Sequence, residues 1–228
     1  VQTCALPIYN YKRVTLLCGH YGSGKTNVAV NMALELAALG KNTAVADLDI
    51  VNPYFRTKDS KEDFEAAGVR LICSEYANTN LDIPALPQDI YAVTDDKSLN
   101  VIVDVGGDDR GAYALGRIAP ALVSEGNFDC LMVINRFRPL TPDAKSTVEV
   151  MREIEAAGKI PFTGLVNNSN LGAETTAEDV LSSESYANEV SRLCGLPIRL
   201  TSFDKTLENE LSGRLSNPFP LKLQKRPV

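Results

Sequence analysis

The sequence predicts an α/β three-layer sandwich with a mostly parallel central sheet of about seven strands. Three observations predict it. Short apolar runs alternate with helical stretches along the chain, with no internal repeat or low-complexity block. The first apolar run leads directly into Gly19-His20-Tyr21-Gly22-Ser23-Gly24-Lys25-Thr26, which satisfies the phosphate-loop pattern G-x-x-x-x-G-K-[ST] at each fixed position. The polar motifs of the chain all fall at the carboxyl ends of predicted strands, where parallel sheets bind their ligands.

Val14-Thr15-Leu16-Leu17-Cys18 is the first buried strand. The helix after the loop runs from Lys25 to Leu39, with Val28, Met32, Leu36 and Leu39 spaced for one face, and Gly40 stops it. Thr43 to Asp47 is a short strand that ends in Asp47-Leu48-Asp49, and Asn52-Pro53 forces a turn before the exposed Tyr54, Phe55 and Arg56. A short helix over Lys58 to Ala67 and a third strand over Val69 to Cys73 follow. Tyr76 to Ala92, holding Pro84 and Pro87, is an irregular excursion that could contact a partner or substrate, or be a plain surface loop.

Val101-Ile102-Val103-Asp104 is the next buried strand, followed by Val105-Gly106-Gly107-Asp108-Asp109-Arg110-Gly111. A helix is expected over Ala112 to Val123 and a fifth strand over Cys130 to Ile134, ending at Asn135-Arg136. Thr141 is the expected cap of a helix from Pro142 to Ala157, with the proline at its first position. A sixth strand over Pro161 to Val166 precedes Asn167-Asn168-Ser169-Asn170. Thr175 or Thr176 opens a helix that reaches Cys194 and could break near Ser182-Ser183. Ile198 to Thr201 is the seventh strand, Asp204 to Leu211 the last helix, and Pro218 and Pro220 interrupt the tail. This organisation places one nucleotide-binding domain over residues 11–215, with terminal extensions at 1–10 and 216–228.

Gly22 and Gly24 let backbone N–H groups approach phosphate oxygens with no Cβ between them. The amides of Gly19 through Asn27, at the start of the first helix, present partial positive charge to the anion. Lys25 is expected at the β- and γ-phosphates and Thr26 on Mg²⁺. His20, the only histidine, sits in this loop and is either a filler at a variable position or a functional group. Asp47 and Asp49, at a strand end beside the loop, are placed to act on water or Mg²⁺, against the alternative that they only solvate the strand end. An apolar strand, an Asp and a glycine pair form the Walker B and γ-phosphate-sensor arrangement, which gives Asp104 to Mg²⁺ and a Gly106 or Gly107 N–H to the γ-phosphate, against the alternative that Gly-Gly and the two Asp after it form a solvated turn.

The 228 residues, 44% hydrophobic, suit one domain with a sizeable core. A net charge of -6 gives no general attraction to nucleic acid or anionic membrane. No apolar run approaches the roughly 18 residues of a membrane span, and no secretory signal pattern is visible. Five scattered cysteines without a C-x-x-C pair point away from a local metal or cluster site and toward a reducing cytoplasm. Guanine-specific loops carry an N-K-x-D run, and neither Asn135-Arg136-Phe137-Arg138 nor Asn167-Asn168-Ser169-Asn170 supplies its Asp. An Asn at the end of the sixth strand can hydrogen-bond adenine, so ATP is the expected nucleotide.

Val14 to Arg56, Val101 to Gly111 and Gly164 to Asn170 together resemble the MinD and ParA class of phosphate-loop ATPases. That class also holds the Mrp-type iron–sulfur carriers, the nitrogenase iron protein, dethiobiotin synthetase and the cobyrinic acid amidases. The chain is most similar to uncharacterised bacterial ATP-binding members. The resemblance implies the P-loop NTPase fold. It also implies that Asp47-Leu48-Asp49-Ile50-Val51-Asn52-Pro53 is a first switch, with Asp49 orienting the attacking water, and that Asn168 is the better adenine contact of the two asparagines. Much of the class has a second lysine just after the first loop glycine, reaching across a homodimer. Here that position is His20, so a homodimer is left open without its signature residue. The leading expectation is an Mg-ATP switch that signals to a protein partner. The alternatives are an ATP-dependent enzyme that activates a small carboxylate, and a carrier of a metal or cluster.

Overall fold

The computed structural model describes residues 9–48, 61–72, 88–107 and 109–223. Its strands are β1 (Val14–Cys18), β2 (Thr43–Asp47), β3 (Arg70–Ile72), β4 (Asn100–Asp104), β5 (Phe128–Ile134), β6 (Gly164–Asn167), β7 (Ile198–Asp204) and β8 (Pro218–Leu221). Its helices are α1 (Lys25–Ala38), α2 (Lys61–Ala67), α3 (Ala92–Asp95), α4 (Asp109–Glu125), α5 (Ala144–Gly158), α6 (Ala177–Cys194) and α7 (Glu208–Leu211). The strands form one 8-stranded sheet in the order β3-β2-β4-β1-β5-β6-β7-β8. Each neighbouring pair is parallel.

The sheet separates two apolar layers. Val14, Leu16 and Cys18 of β1 point into one, with residues of α4, α5 and α6; Leu17 points into the other, with Val28, Met32 and Leu36 of α1. This two-residue alternation, apolar on both faces, is why the strands read as unbroken apolar runs. No helix of the described residues is long and apolar enough to cross a membrane.

Several boundaries differ from the sequence expectation, each for a local reason. The cap of α5 is Asp143 rather than Thr141: its side chain accepts from Ser146 N at 2.9 Å, while the Thr141 hydroxyl donates to Asn135 O at 2.8 Å. The Ser182-Ser183 pair does not break α6, because both hydroxyls donate within the helix, to the carbonyls of Asp179 and Val180. Thr176 opens α6 with a capping box closed by Asp179. Strand β6 begins at Gly164 rather than Pro161. Helix α4 is longer than expected at both ends and carries Pro120 within it.

The largest difference is in the tail. Residues 218–221 extend the sheet as β8, so the ordered fold continues past 215. Its two prolines are tolerated because β8 lies at the sheet edge, where one side of the strand has no ladder to join. Phe219 and Leu221 are buried in the α1 layer. At the other terminus Tyr9, within the expected extension at 1–10, is buried and donates to Asp129 Oδ2 at 2.6 Å.

Candidate functional site

The site is built where β1, β4, β5 and β6 end. β1 stops at Cys18, and the chain turns through Gly19 to Gly24 into α1. Gly24 caps the helix at φ 88, in the left-handed region that only glycine enters cheaply. A Cβ on Gly24 would lie 2.2 Å from Asn168 Nδ2, and one on Gly19 would lie 2.5 Å from the Val133 carbonyl. The loop is therefore packed down on the ends of β5 and β6, and its glycines are required by contact as well as by conformation.

Lys25 is buried and folds back over the loop, donating from Nζ to Gly19 O at 3.0 Å and His20 O at 3.2 Å. This holds the ammonium across the loop with donor capacity left for an anion. Thr26, one residue into α1, donates from Oγ1 to Asp104 Oδ2 at 2.6 Å. Asp104 ends β4, is 1% exposed, and pairs in register with Asp47 at the end of β2. The Leu48 N–H donates to Asp104 O at 2.8 Å, so the two acidic strand ends are locked side by side. Three of the expected residues, Thr26, Asp47 and Asp104, thus converge. Asp49 lies outside the described residues, as do most of the first switch and residues 76–87 of the excursion.

The glycine pair after β4 also meets the loop. A Cβ on Gly107 would sit 2.7 Å from Tyr21 N and 3.1 Å from Gly19 O, so only glycine fits there. The Gly106 carbonyl packs under Gly111, where a Cβ would come within 2.3 Å. His20 Nδ1 lies 3.1 Å from the Tyr21 carbonyl, and Tyr21 is 61% exposed at the loop's crest. Asn27 is half-buried on α1, and its carbonyl accepts from Asn31 Nδ2 at 2.8 Å.

The two asparagines at the end of β6, Asn167 its last residue and Asn168 the next, point to opposite faces. Asn167 donates to Ser183 Oγ on α6 at 2.9 Å and accepts from Ser169 Oγ at 2.8 Å. Asn168 donates to Ser23 O at 2.7 Å and accepts from Ser202 Oγ at 2.8 Å. Both are buried, and both amides are engaged inside the protein. Asn168 thus clamps the phosphate loop to the ends of β6 and β7.

Sequence reasoning missed three contributors. Ser202 of β7 supports Asn168 from beneath. Asn170 donates to Asn168 O at 2.7 Å and is itself tied to Asn135, whose Nδ2 donates to Asn170 O at 3.2 Å. Arg138, in the turn after β5, lies with its Nε, Cδ and Cζ at 3.5–3.7 Å from where a Cβ on Gly22 would be. Arg138 and Asn170 each lie in a run searched for a base-reading Asp, whereas Ser202 had no sequence signal.

The CobQ/CobB/MinD/ParA nucleotide-binding domain model matches residues 16–184, which spans the loop, both acidic strand ends and the asparagine cluster. The chain belongs to this family. No curated protein sequence matches the chain.

Among solved structures, the fold is similar to the cell division protein FtsY from Thermotoga maritima, with a TM-score of 0.56 and 19% identity over 86% of this chain and 63% of that one. It is similar also to FtsY from Mycoplasma mycoides, with a TM-score of 0.54 and 18% identity over 85% and 60% of the two chains. The signal recognition particle 54 kDa protein from Aeropyrum pernix, solved with GDP, gives 0.52 and 17% over 84% and 41%. The chain spans about three fifths of the length of the FtsY chains it matches. At these identities the likeness is one of fold.

Proposed function

We propose that the chain is an Mg-ATP-binding switch that hydrolyses the β–γ bond and signals the change to a protein partner. The observation that carries this reading is the 2.6 Å contact between the Thr26 hydroxyl and the Asp104 carboxylate beneath a phosphate loop that Lys25 already spans. A hydroxyl and a carboxylate held together at that spot are the two protein oxygens a hard cation takes beside a triphosphate. Thr26 and Asp104 would hold Mg²⁺, which on binding neutralises charge on the phosphate oxygens.

The chain's own residues divide the remaining work. The loop amides and the start of α1 receive the phosphates. Lys25 places its ammonium toward the β- and γ-phosphates. Asp47 and Asp49 orient the attacking water. Gly107, in contact with the backbone of Gly19 and Tyr21, is positioned to follow the departure of the γ-phosphate. Adenine rather than guanine is favoured because neither asparagine run carries the carboxylate that would accept the guanine edge. A cytoplasmic location fits Cys18 and Cys130, free thiols with Sγ atoms 3.9 Å apart.

Calorimetric titration of the purified chain with ATP, ADP and GTP, with and without Mg²⁺, tests the reading. Binding of ATP that Lys25→Ala abolishes supports it, as does phosphate release that needs Mg²⁺. A chain that binds neither ATP nor ADP in Mg²⁺ overturns it, and preferred binding of GTP overturns the base assignment.

A further inference from the structure

Arg138 is set apart from the other arginines described. Arg13 is bound to Glu125 and to backbone carbonyls, and Arg136 donates to Ser182 O at 3.0 Å while lying 5.5 Å over the Phe137 ring. The Nε of Arg138 is buried and has no hydrogen-bond partner. A desolvated guanidinium N–H with no protein acceptor is costly, and in native folds such a group is answered by a water, an ion or a functional role.

The surroundings say which ligand. Arg138 flanks Gly22, the middle glycine of the phosphate loop: a Cβ built on Gly22 would lie 3.5 Å from Arg138 Nε and 3.7 Å from its Cζ. The turn that carries it is fixed. Arg138 N donates to Asn135 O at 3.2 Å, and Thr141 N donates to Arg138 O at 3.1 Å. The Asn135 side chain, itself buried, accepts from Phe137 N at 3.0 Å. The guanidinium is thus presented from a built support on the β5 side of the loop, while Lys25 spans the loop from the α1 side. His20 Nδ1 lies 3.1 Å from the Tyr21 carbonyl.

We propose that Arg138 is a phosphate-binding residue that donates, within the same chain, to the phosphate groups of the bound nucleotide, as a second cation beside Lys25. A guanidinium matches phosphate with a planar fork of donors, which a lysine cannot reproduce. The proposal rests on the nucleotide reading above and adds to it a residue from the turn after β5.

Titration of Arg138→Gln and Arg138→Lys with ATP, beside the unaltered chain and Lys25→Ala, tests it. Phosphorus NMR of the bound nucleotide and melting of each ligand-free variant are recorded alongside. Arg138→Gln should weaken ATP binding about ten-fold or more, the range for loss of a hydrogen bond to a charged group. Arg138→Lys should recover part of that loss, and the glutamine variant should shift a phosphorus resonance. Unchanged ATP affinity in Arg138→Gln, with binding intact in the unaltered chain, overturns this proposal alone. Equal losses in both variants with unmoved phosphorus resonances and lowered melting mark a packing role and overturn it too. An unaltered chain that binds no nucleotide overturns both readings.

Discussion

The side-chain amide of Asn168 donates at 2.7 Å to the carbonyl of Ser23, 145 residues earlier in the chain. Ser202 completes the amide by donating to its oxygen at 2.8 Å. Through this pair the end of β6 holds the phosphate loop down, and the loop's shape depends on residues far outside its motif.

Asn168→Ala leaves the Ser23 carbonyl and the Ser202 hydroxyl with a lost partner in a buried place. The expected cost is about 1–3 kcal/mol of stability. Calorimetric melting should show it as a fall in Tm of roughly 2–10 °C, and ATP affinity should fall with it. A variant that melts and binds like the unaltered chain would show that the clamp is dispensable.

Gly24→Ala puts a methyl 2.2 Å from Asn168 Nδ2 and forces alanine to φ 88. The left-handed conformation alone costs about 1–2 kcal/mol. ATP binding should be lost while the far-UV circular dichroism is retained. The double variant with Asn168→Ala should not restore binding, since the backbone strain remains when the clash is removed.

Asp104→Asn keeps an oxygen that can accept from Thr26 but removes the charge. The gain in ATP affinity that Mg²⁺ confers should disappear in this variant. Its titration should then match that of the unaltered chain in EDTA.

Arg13 is buried. It pairs with Glu125 through two contacts, one from Nη2 at 2.5 Å and one from Nε, and donates from Nη1 to Val93 O at 3.0 Å. Lys97 adds a contact to the same carboxylate at 2.6 Å. The hydrogen bond from Arg13 is the main reason the Glu125 carboxyl titrates at about 2 rather than 4.5. The folded value is depressed, so the stabilisation is present above pH about 4.5 and lost as pH falls toward 2. Denaturant midpoints measured across that window should decline with acid. In Arg13→Met the decline should be shallower, from a lower starting stability.

Phe219→Ala empties a buried position on β8, beneath α1. Urea unfolding should register a loss of about 3–5 kcal/mol. Asn31 on α1 also pins the strand end, accepting from Lys222 N at 2.8 Å and donating to Lys222 O at 3.1 Å. A loss near zero would show that β8 is not an integral strand.

The sequence by itself determined the layered parallel fold, the phosphate loop and its carboxylate companions. Those signals are local: apolar runs of strand length, a spaced glycine motif, and an Asp closing a buried strand. They suffice for Lys25, Thr26, Asp47 and Asp104, because each sits within a few residues of the strand end that positions it. Tertiary structure decided what no local pattern encodes. Pro218 and Pro220 read as a broken tail until the sheet showed a free edge able to accept a strand with missing donors. The links from Asn168 to Ser23 and Ser202 came only from packing. Arg138 carried no assigned role in the sequence until the turn after β5 set it beside Gly22. Contacts between residues more than a hundred positions apart follow from the order in which the strands join. Hydrophobic periodicity reports only that a strand is buried, and leaves open which neighbour lies beside it.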